Sequence, residues 1–384
     1  MISLGCPRNL VDSECIISEF KSKGYRYKED IIGADIAVIN TCAFIEDAKK
    51  ESIDTILKLV DAKTSGDVKK IIVVGCLPER YKDELKKELP EIDEFRGILD
   101  FKKAPTKRTL ITPKHYAYIK ISEGCRNRCT YCIIPSIKGP YRSRPIVSVV
   151  EEARSLIRKN IKEIILVGQD TSLYGIDLYR KKRLRELLKK VDKISRANWI
   201  RLLYLNPANL DRDVIDLIGG SKNICKYIDL PIEHISDRIL KGMGRSGRKK
   251  DIVSMIEYIR KTIPGVSLRS SVIVGFPGER EKDFNEMASF LRDIKFERLG
   301  VFRYSREEET PAYKFKNQVS EAEKEDRFNK LMKLQQDISR EINESFKGKK
   351  LRVLIDEEEG DYYIGRTEYD APEVDGVVYV KGKG

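Results

Sequence analysis

Residues 124–132 read GCRNRCTYC and place Cys125, Cys129 and Cys132 in the spacing C-x3-C-x2-C. A structural zinc site usually takes four ligands from two paired knuckles, whereas this loop supplies three thiolates and no fourth nearby. Three thiolates on a four-iron cubane leave one iron open to a substrate or cosubstrate. The spacing therefore predicts a [4Fe–4S] cluster with an open iron, and a zinc knuckle with a distant fourth ligand remains the alternative.

The three-cysteine loop follows the first of six short apolar stretches that alternate with helical patterns such as 147–160 and 250–262. Six βα units are too few to close an eight-stranded barrel, so we expect an open, partial barrel with its site at the C-terminal strand ends. This arrangement places the loop at the mouth of the barrel. The six predicted strands are YAYIKI (116–121), EIILVG (163–168), WIRLLY (199–204), KYIDL (226–230), SLRSSVIVG (267–275) and ERLGVFRY (297–304).

A second set of three cysteines, Cys6, Cys42 and Cys76, is spread over the first hundred residues. Each follows an apolar stretch that has the composition of a buried parallel strand, namely MISLG, ADIAVINT (34–41) and KKIIVVG (69–75). Neighbouring parallel strands lie about 5 Å apart, so ligands at their C-terminal ends converge. We therefore predict a small α/β domain that holds a second [4Fe–4S] cluster with a free iron. Three buried structural cysteines are the alternative.

The other two cysteines, Cys15 and Cys225, lie on a helical pattern and at a strand start, and we expect both to be core thiols. Disulfides are not expected in a reducing cytosol, where clustered cysteines indicate metal or redox chemistry. The N-terminus lacks the pattern of a secretory signal, and the chain has no apolar run of about 18 residues. We therefore expect a cytoplasmic protein without membrane association.

The net charge is +13, from 74 Lys and Arg against 61 Asp and Glu. Such a balance favours an acidic or RNA-containing partner, although solubility alone would also account for it. The charge is unevenly distributed, because residues 351–384 contain four basic and nine acidic residues and thus carry −5.

The chain has 384 residues, which suggests two or three domains. The predicted fold class is α/β, with a small β domain at the end. Ser320 and Glu323 form a capping box at the start of a long helical stripe. The expected segments are an N-terminal α/β domain (1–100), a linker with two prolines (101–115), the open barrel (116–319), a connecting helix (320–350) and a β domain (351–384).

The three-cysteine loop resembles the signature of the radical S-adenosylmethionine (SAM) superfamily, which has an aromatic residue before its last cysteine, here Tyr131. GFPGE (275–279) is similar to a segment common near the end of these barrels. The resemblance implies that SAM chelates the open iron. It also implies that an electron from the cluster cleaves SAM and releases a 5′-deoxyadenosyl radical.

Nearly the whole chain resembles the radical SAM methylthiotransferases. The specific stretches are SLGCPRNLVDSE (3–14), INTCAFIEDAKKESID (39–54), VVGCLPERY (73–81) and EGCRNRCTYCIIPSIKGPYRSRP (123–145). The first of these, with CAFIEDA and GRTEYDAPEVDG, is similar to the RimO type, which modifies an aspartate of ribosomal protein S-twelve. The resemblance implies methylthiolation of the aspartate β-carbon with two [4Fe–4S] clusters, and methyl transfer from a second SAM.

Two other functions stay open. One is the family branch that modifies an adenosine of transfer RNA, and the other is a non-catalytic iron–sulfur scaffold that binds ribosomes. A tail that binds RNA should be basic, whereas a tail of −5 repels phosphates and attracts a basic ribosomal protein. The acidic tail therefore favours the ribosomal target.

Strand ends near the barrel mouth supply further candidates for contact with SAM. Arg269 would meet its carboxylate. Glu233 stands where the family usually has glutamine, which puts a contact at that position in doubt. The full set of candidates is Tyr131, Gln169, Asp170, Tyr204, Asn206 and Arg269.

The resemblance also implies partners and a domain name. We expect an electron donor such as flavodoxin or ferredoxin, and a monomer that acts on ribosomal protein S-twelve or the small ribosomal subunit. The acidic tail resembles a TRAM domain but stops at VYVKGKG, short of a complete TRAM barrel. The sequence is therefore expected to be either a fragment or a compact member of the family.

Overall fold

The computed structural model describes residues 1–101, 108–194 and 199–382. These residues form an α/β sheet unit, an open barrel, and a small antiparallel sheet that follows a long helix. Residues 102–107 of the predicted linker lie outside the described ranges. Within those ranges, no helix combines the length and the apolar character needed to cross a membrane.

The first unit is a parallel sheet with helices on both faces. Its elements are β1 (Ile2–Ser3), α1 (Pro7–Ser22), β2 (Ala34–Thr41), α2 (Glu46–Thr64), β3 (Val68–Gly75), α3 (Cys76–Glu88) and β4 (Glu94–Arg96). The strands lie in the order β1-β2-β3-β4 and all pairs are parallel. Helix α1 packs on one face and helices α2 and α3 pack on the other, so the apolar runs of β2 and β3 are buried on both sides.

The second unit is the predicted open barrel. Its elements are β5 (Tyr116–Lys120), β6 (Ser122–Glu123), α4 (Ile134–Lys138), β7 (Arg142–Ser143), α5 (Ile146–Arg158), β8 (Glu163–Val167), α6 (Leu184–Ile194), β9 (Trp199–Leu202), α7 (Arg212–Gly220), β10 (Tyr227–Asp229), α8 (Asp237–Gly242), α9 (Lys249–Thr262), β11 (Ser267–Val274), α10 (Glu281–Ile294) and β12 (Arg298–Arg303). The parallel sets β5-β8-β9 and β10-β11-β12 meet at a bridge between Ile200 and Ile224. The predicted α/β class and partial barrel are therefore confirmed.

The two faces of the barrel strands carry different cores because side chains alternate along a strand. One face packs against the surrounding helices and includes Ala117 and Ile164. The other face forms a separate cluster around Tyr118, which takes in Val11 from helix α1 and Ala371 from the C-terminal unit. The inside of the barrel is thus filled by residues from both neighbouring units.

The C-terminal unit contains a helix and a three-stranded antiparallel sheet. Its elements are α11 (Glu321–Glu344), β13 (Val353–Glu359), β14 (Tyr362–Thr367) and β15 (Val378–Lys381). The Ser320 side chain accepts a hydrogen bond from the backbone N–H of Glu323, which is one half of the predicted capping box, whereas the Glu323 side chain pairs with Arg327. Such a cap stabilises a helix by about 1 kcal/mol.

The described part of the predicted linker is anchored to both neighbouring domains. Arg108 is buried and forms ion pairs with Glu14 of helix α1 and Glu152 of helix α5. The sequence around it has no hydrophobic period, so its polar composition resembled a solvated linker. Ion pairs hold this segment at Arg108, and Leu110 packs against the barrel core.

Candidate functional site

The N-terminal cysteine triad lies at one edge of the first sheet. Cys6 is the N-cap of helix α1, Cys42 follows strand β2 directly, and Cys76 begins helix α3 after strand β3. Because β1, β2 and β3 are adjacent and parallel, their C-terminal ends meet at the same edge. The structure therefore brings these three residues to one side of the sheet, as their positions after the strands predict.

A close approach of the backbone shapes this edge. Gly5 has φ +86°, and a Cβ atom there would lie 2.8 Å from the Cβ and 3.1 Å from the Sγ of Cys42. Asn9 joins the chain segments around it, because its side-chain amide donates to the carbonyl oxygens of Leu4 and Thr41. Any larger residue at position 5 would displace Cys42, which explains the glycine before Cys6.

Two cations lie near the N-terminal triad. Burial raises the pKa of Cys6. Arg8, the backbone N–H of Asn9 and Lys138 lower it by more than burial raises it, so the pKa lies below its ordinary value. Burial, followed by Cys76 and Cys6, raises the pKa of Cys42 to about 12. The thiols are thus close enough to influence one another, and positive charge is already in place to offset thiolates.

The second triad, Cys125, Cys129 and Cys132, lies in the loop between β6 and α4. The side-chain amide of Asn127 donates to Cys125 Sγ at 3.5 Å, and Arg245 lies against Cys129. Burial raises the pKa of Cys132 to about 12, although the backbone N–H of Ile134 opposes the shift. Each thiol of this loop therefore has a nearby hydrogen-bond donor or cation.

Arg8 connects the two units that carry the triads. Its guanidinium donates to the carbonyl oxygen of Gly168 at 2.9 Å, just after barrel strand β8. It also lies 4.7 Å from the centroid of the Tyr204 ring, beyond the end of strand β9. Since Arg8 follows Cys6 by two residues, these contacts fix the N-terminal triad against the C-terminal strand ends of the barrel.

A buried set of charges reinforces the same interface. Lys120 forms ion pairs with Asp12 of helix α1 and with Glu123. Lys138, at the end of helix α4, lies 3.6 Å from Asp12 and 3.9 Å from Glu123. Gln169 donates to the remaining oxygen of Glu123 at 2.6 Å. Buried charges that are paired in this way cost much to separate, so the interface is held in one arrangement.

Three of the residues expected to bind SAM have partners within the protein. Gln169 contacts Glu123, and Arg269 donates to the buried Asp229 at 3.1 Å. Asp170 accepts hydrogen bonds from the side chains of Asn127 and Asn209 and from the backbone N–H of Ser172, and it is 1% exposed.

The other three candidates also lie near the loop or the strand ends. Tyr131 lies beside Glu233 and Arg245. Tyr204 has φ +62°, and its N–H donates to Asp229. The side-chain oxygen of Asn206 accepts a hydrogen bond from the backbone N–H of Ala208.

Sequence reasoning missed Arg8, Lys138, Asn127 and Arg245 as neighbours of the thiols. Arg8 and Asn127 each lie two residues after a cysteine, so their spacing was an available signal. Lys138 and Arg245 reach the thiols only through the fold, and nothing in their local sequence distinguishes them from surface residues. Cys15 and Cys225 are buried core thiols, as predicted.

The donor chemistry of both triads fits an iron–sulfur cluster. All six thiols are free of disulfides. Within residues 1–101, 108–194 and 199–382, no three His, Cys, Asp or Glu side chains are gathered as the ligands of one metal ion would be. A cubane instead takes each thiolate at a separate iron corner. Three thiolates would give a cluster held by them a net negative charge, which the neighbouring Arg8, Lys138 and Arg245 would complement.

Comparison with protein families matches each unit of the chain. Residues 119–291 match the radical SAM superfamily, residues 1–97 match the uncharacterized protein family UPF0004, and residues 348–384 match the TRAM domain. Among solved structures, the radical SAM methyltransferase TsrM from Kitasatospora setae aligns with a TM-score of 0.54 at 14% identity, over 78% of this chain and 68% of that one. That likeness supports the fold alone.

Full-length relatives are much closer in sequence. The chain is 47% identical to the ribosomal protein uS12 methylthiotransferase RimO of Clostridium kluyveri, over 100% of this chain and 92% of that protein. It is 45% identical to the RimO protein of Clostridium tetani, over 99% of this chain and 91% of that protein. It is 44% identical to the RimO protein of Parabacteroides distasonis, over 98% of this chain and 90% of that protein. With its radical SAM barrel and its iron–sulfur and SAM chemistry, the chain therefore belongs to the RimO family of radical SAM methylthiotransferases.

Proposed function

We propose that this enzyme methylthiolates the β-carbon of an aspartate in ribosomal protein uS12, the S-twelve of the sequence analysis. The observation that carries the proposal is the contact of Arg8 with Gly168 and Tyr204, which fixes one cysteine triad against the barrel end that bears the other. The relatives from two clostridia, both named as uS12 methylthiotransferases, support the choice of target.

We propose that each triad holds one [4Fe–4S] cluster. Cys125, Cys129 and Cys132 would hold the cluster that binds SAM, and the N-terminal triad would hold the auxiliary cluster. When bound, these groups supply radical chemistry, which an unactivated C–H bond requires because no side-chain base removes its proton near neutral pH. The N-terminal triad comprises Cys6, Cys42 and Cys76.

Residues of the chain would keep the two clusters in register and away from water. Helix α1 starts at the N-terminal triad, and its residue Val11 packs into the hydrophobic core inside the barrel. The buried pair of Lys120 and Asp12 fastens the same helix to strand β5. Water exclusion of this kind protects reactive intermediates from side reactions.

The candidates for SAM contact divide into two groups in this proposal. Tyr131, Tyr204 and Asn206 would border SAM directly, together with Gln169, whose NH2 group is engaged by Glu123 but whose side-chain oxygen makes no hydrogen bond among the described residues. Asp170 and Arg269 would act indirectly, because their charged groups are already engaged by partners within the protein.

The test is product analysis with both family targets in parallel. The reconstituted enzyme, SAM, sulfide and dithionite are incubated anaerobically with uS12 or with transfer RNA, and each product is analysed by mass spectrometry. We expect the mass gain of one methylthio group on an aspartate of uS12, together with 5′-deoxyadenosine. A methylthio group on transfer RNA alone would reverse the choice of target, and the absence of 5′-deoxyadenosine would favour the non-catalytic scaffold. In cells, flavodoxin or ferredoxin would replace dithionite.

A further inference from the structure

Asn127 makes the side-chain hydrogen bond that reaches Cys125 in the loop of the second triad. Its Nδ2 lies 3.5 Å from Cys125 Sγ and 2.8 Å from Asp170 Oδ2. An amide nitrogen carries two hydrogens, so one amide group serves both acceptors. Asn127 therefore links a thiol of the loop to a buried carboxylate.

The orientation of this amide is determined by its neighbours. A carboxylate and a thiolate accept hydrogen bonds but do not donate them, so both require the NH2 end of Asn127. On the other side, Asn209 Nδ2 lies 3.3 Å from Asn127 Oδ1 and donates to Asp170 Oδ2 at 2.8 Å. A flipped Asn127 would set oxygen against oxygen and against sulfur. The structure thus selects one rotamer.

Asp170 is itself held in place. Its other oxygen accepts the N–H of Ser172 at 3.0 Å, and its backbone carbonyl accepts the Tyr141 hydroxyl at 3.1 Å. The residue is 1% exposed. Asp170 therefore acts on the loop as a fixed anchor after strand β8.

We infer that Asn127 donates a hydrogen bond to the cluster thiolate of Cys125, and that Asp170 and Asn209 are positioning residues that hold this donor in orientation. The inference rests on the proposed function, because it takes Cys125 as a ligand of the SAM-binding cluster. Hydrogen bonds to the ligand sulfurs are among the factors that set the reduction potential of such clusters. A donor stabilises the reduced form, which carries more negative charge, and so raises the potential.

The test uses the reconstituted full-length protein and measures the cluster, not turnover. Asn127→Leu removes both hydrogens and keeps the same branched shape of four side-chain heavy atoms. We expect its SAM-responsive EPR signal to have a more negative midpoint potential, with up to about tenfold less reduced cluster at a fixed solution potential, which is 59 mV for one electron. We also expect one exchangeable proton coupling, seen by ENDOR in H2O against D2O, to be lost, while the coupling of the residue 127 backbone N–H, which also faces Cys125, remains.

Asp170→Asn tests the anchor separately. Its new amide would donate toward Asn127 and favour the flipped rotamer, so the same exchangeable proton should weaken although position 170 does not bind sulfur. The proton coupling is the readout here, because loss of the carboxylate charge alters the potential by itself. Thr130→Val is the control: it removes a hydrogen bond from the same loop to the carbonyl of Gly242, with no sulfur contact in the structure.

The outcomes separate the inference from the proposed function. If the wild-type protein has no SAM-responsive cluster, both the inference and the proposed function are wrong. A wild-type cluster whose potential and exchangeable proton are unchanged by Asn127→Leu would overturn the inference alone. Equal shifts in Thr130→Val would overturn it too, since they would trace the effect to loop structure. If Asn127→Leu fails to assemble a cluster, the proton coupling of Asp170→Asn decides.

Discussion

Arg8 donates a hydrogen bond of 2.9 Å to the carbonyl oxygen of Gly168 and so joins the N-terminal sheet unit to the barrel. The same guanidinium packs over the Tyr204 ring. Arginine is suited to this double role because its planar group stacks and donates at the same time, whereas a lysine ammonium does not. Together with the buried charges around Lys120, this side chain, two residues after Cys6, holds the N-terminal triad against the barrel.

Arg8→Lys should slow methylthiolation while leaving the clusters in place. The charge beside Cys6 is retained, but the stacked, hydrogen-bonded geometry is lost, and a displacement of about 1 Å costs on the order of a hundredfold in rate. Turnover on uS12 should therefore fall about tenfold to a hundredfold with unchanged iron content. Arg26→Lys, at an exposed position, is the control. Wild-type turnover in Arg8→Lys would show that the contact has no role in catalysis.

Glu307→Gln should loosen the sheet unit from the barrel. Glu307 is 1% exposed and lies 3.0 Å from Arg80 and 3.1 Å from Lys49, both in the N-terminal unit. Removal of its charge leaves two cations without their buried partner, at a cost of about 3 kcal/mol. We expect a drop of that size in the free energy of unfolding, measured with denaturant.

The matched control for Glu307 is Glu46→Gln. Glu46 pairs with the same Lys49 at 2.7 Å, but its side chain is 74% exposed. An exposed pair contributes about 0–1 kcal/mol, so this variant should unfold near the wild-type midpoint. Equal effects of the two substitutions would show that the buried ion pairs of Glu307 do not stabilise the contact between the units.

Protonation of His234 should lower the stability of the iron-free protein in mild acid, while Glu279, which lies 3.9 Å away and whose pKa burial raises to about 7, contributes in the opposite direction over the same pH range. Burial lowers its pKa from 6.5 to about 3, so the unfolded chain takes up a proton at a higher pH than the folded one. The stability that the neutral imidazole contributes is therefore complete above pH 6.5 and is lost as the pH falls from there toward 3. At about pH 5 the loss should reach about 2 kcal/mol.

His234→Asn isolates this contribution. The asparagine oxygen can replace Nδ1 as the acceptor for the Ser236 N–H, which lies 3.0 Å away, and it does not titrate. Between about pH 7 and about pH 5, the free energy of unfolding of the variant, measured with denaturant, should rise relative to that of the wild type by about 2 kcal/mol. A slope equal to that of the wild type would mean that His234 is not the responsible group.

Arg366→Met should destabilise the barrel at the N-terminal end of strand β8. Arg366 lies 2.7 Å from the fully buried Glu163, which also accepts from Arg201 at 2.6 Å. Loss of one partner of this buried ion pair should cost about 3 kcal/mol. Arg352→Met is the control, because Arg352 is exposed and only packs over Trp199 at 5.5 Å, worth about 1 kcal/mol. Similar melting temperatures for the two variants would contradict the assignment.

The strands and the cysteine positions were predictable because their signals are local. The stretch EIILVG places strand β8 within a residue of its bounds, Glu163–Val167. The glycine–cysteine pairs after apolar runs mark strand ends in the same way, because glycine is typical of a tight turn and cysteine is typical of a metal ligand. Short-range chemistry of this kind is readable without the fold.

Long-range pairing of charges was not predictable. The acidic tail was read as free surface charge, yet Asp370 pairs with Arg298, and Asp375 accepts from the Tyr227 hydroxyl. These two carboxylates therefore hold the tail against the N-terminal ends of the barrel strands β10 and β12, and their charge is not free to attract a partner. Asp170 was likewise predicted to contact SAM, and only the fold reveals Asn127 and Asn209 as its partners.

Iron quantification after anaerobic reconstitution tests the central claim, that the two triads hold two clusters. The wild-type chain should bind about eight irons, and Cys42→Ala and Cys129→Ala should each bind about four, because one cubane needs its full triad. Cys42→Ala should still cleave SAM, whereas Cys129→Ala should not. About four irons in the wild type, or a count unchanged by Cys42→Ala, would contradict the account.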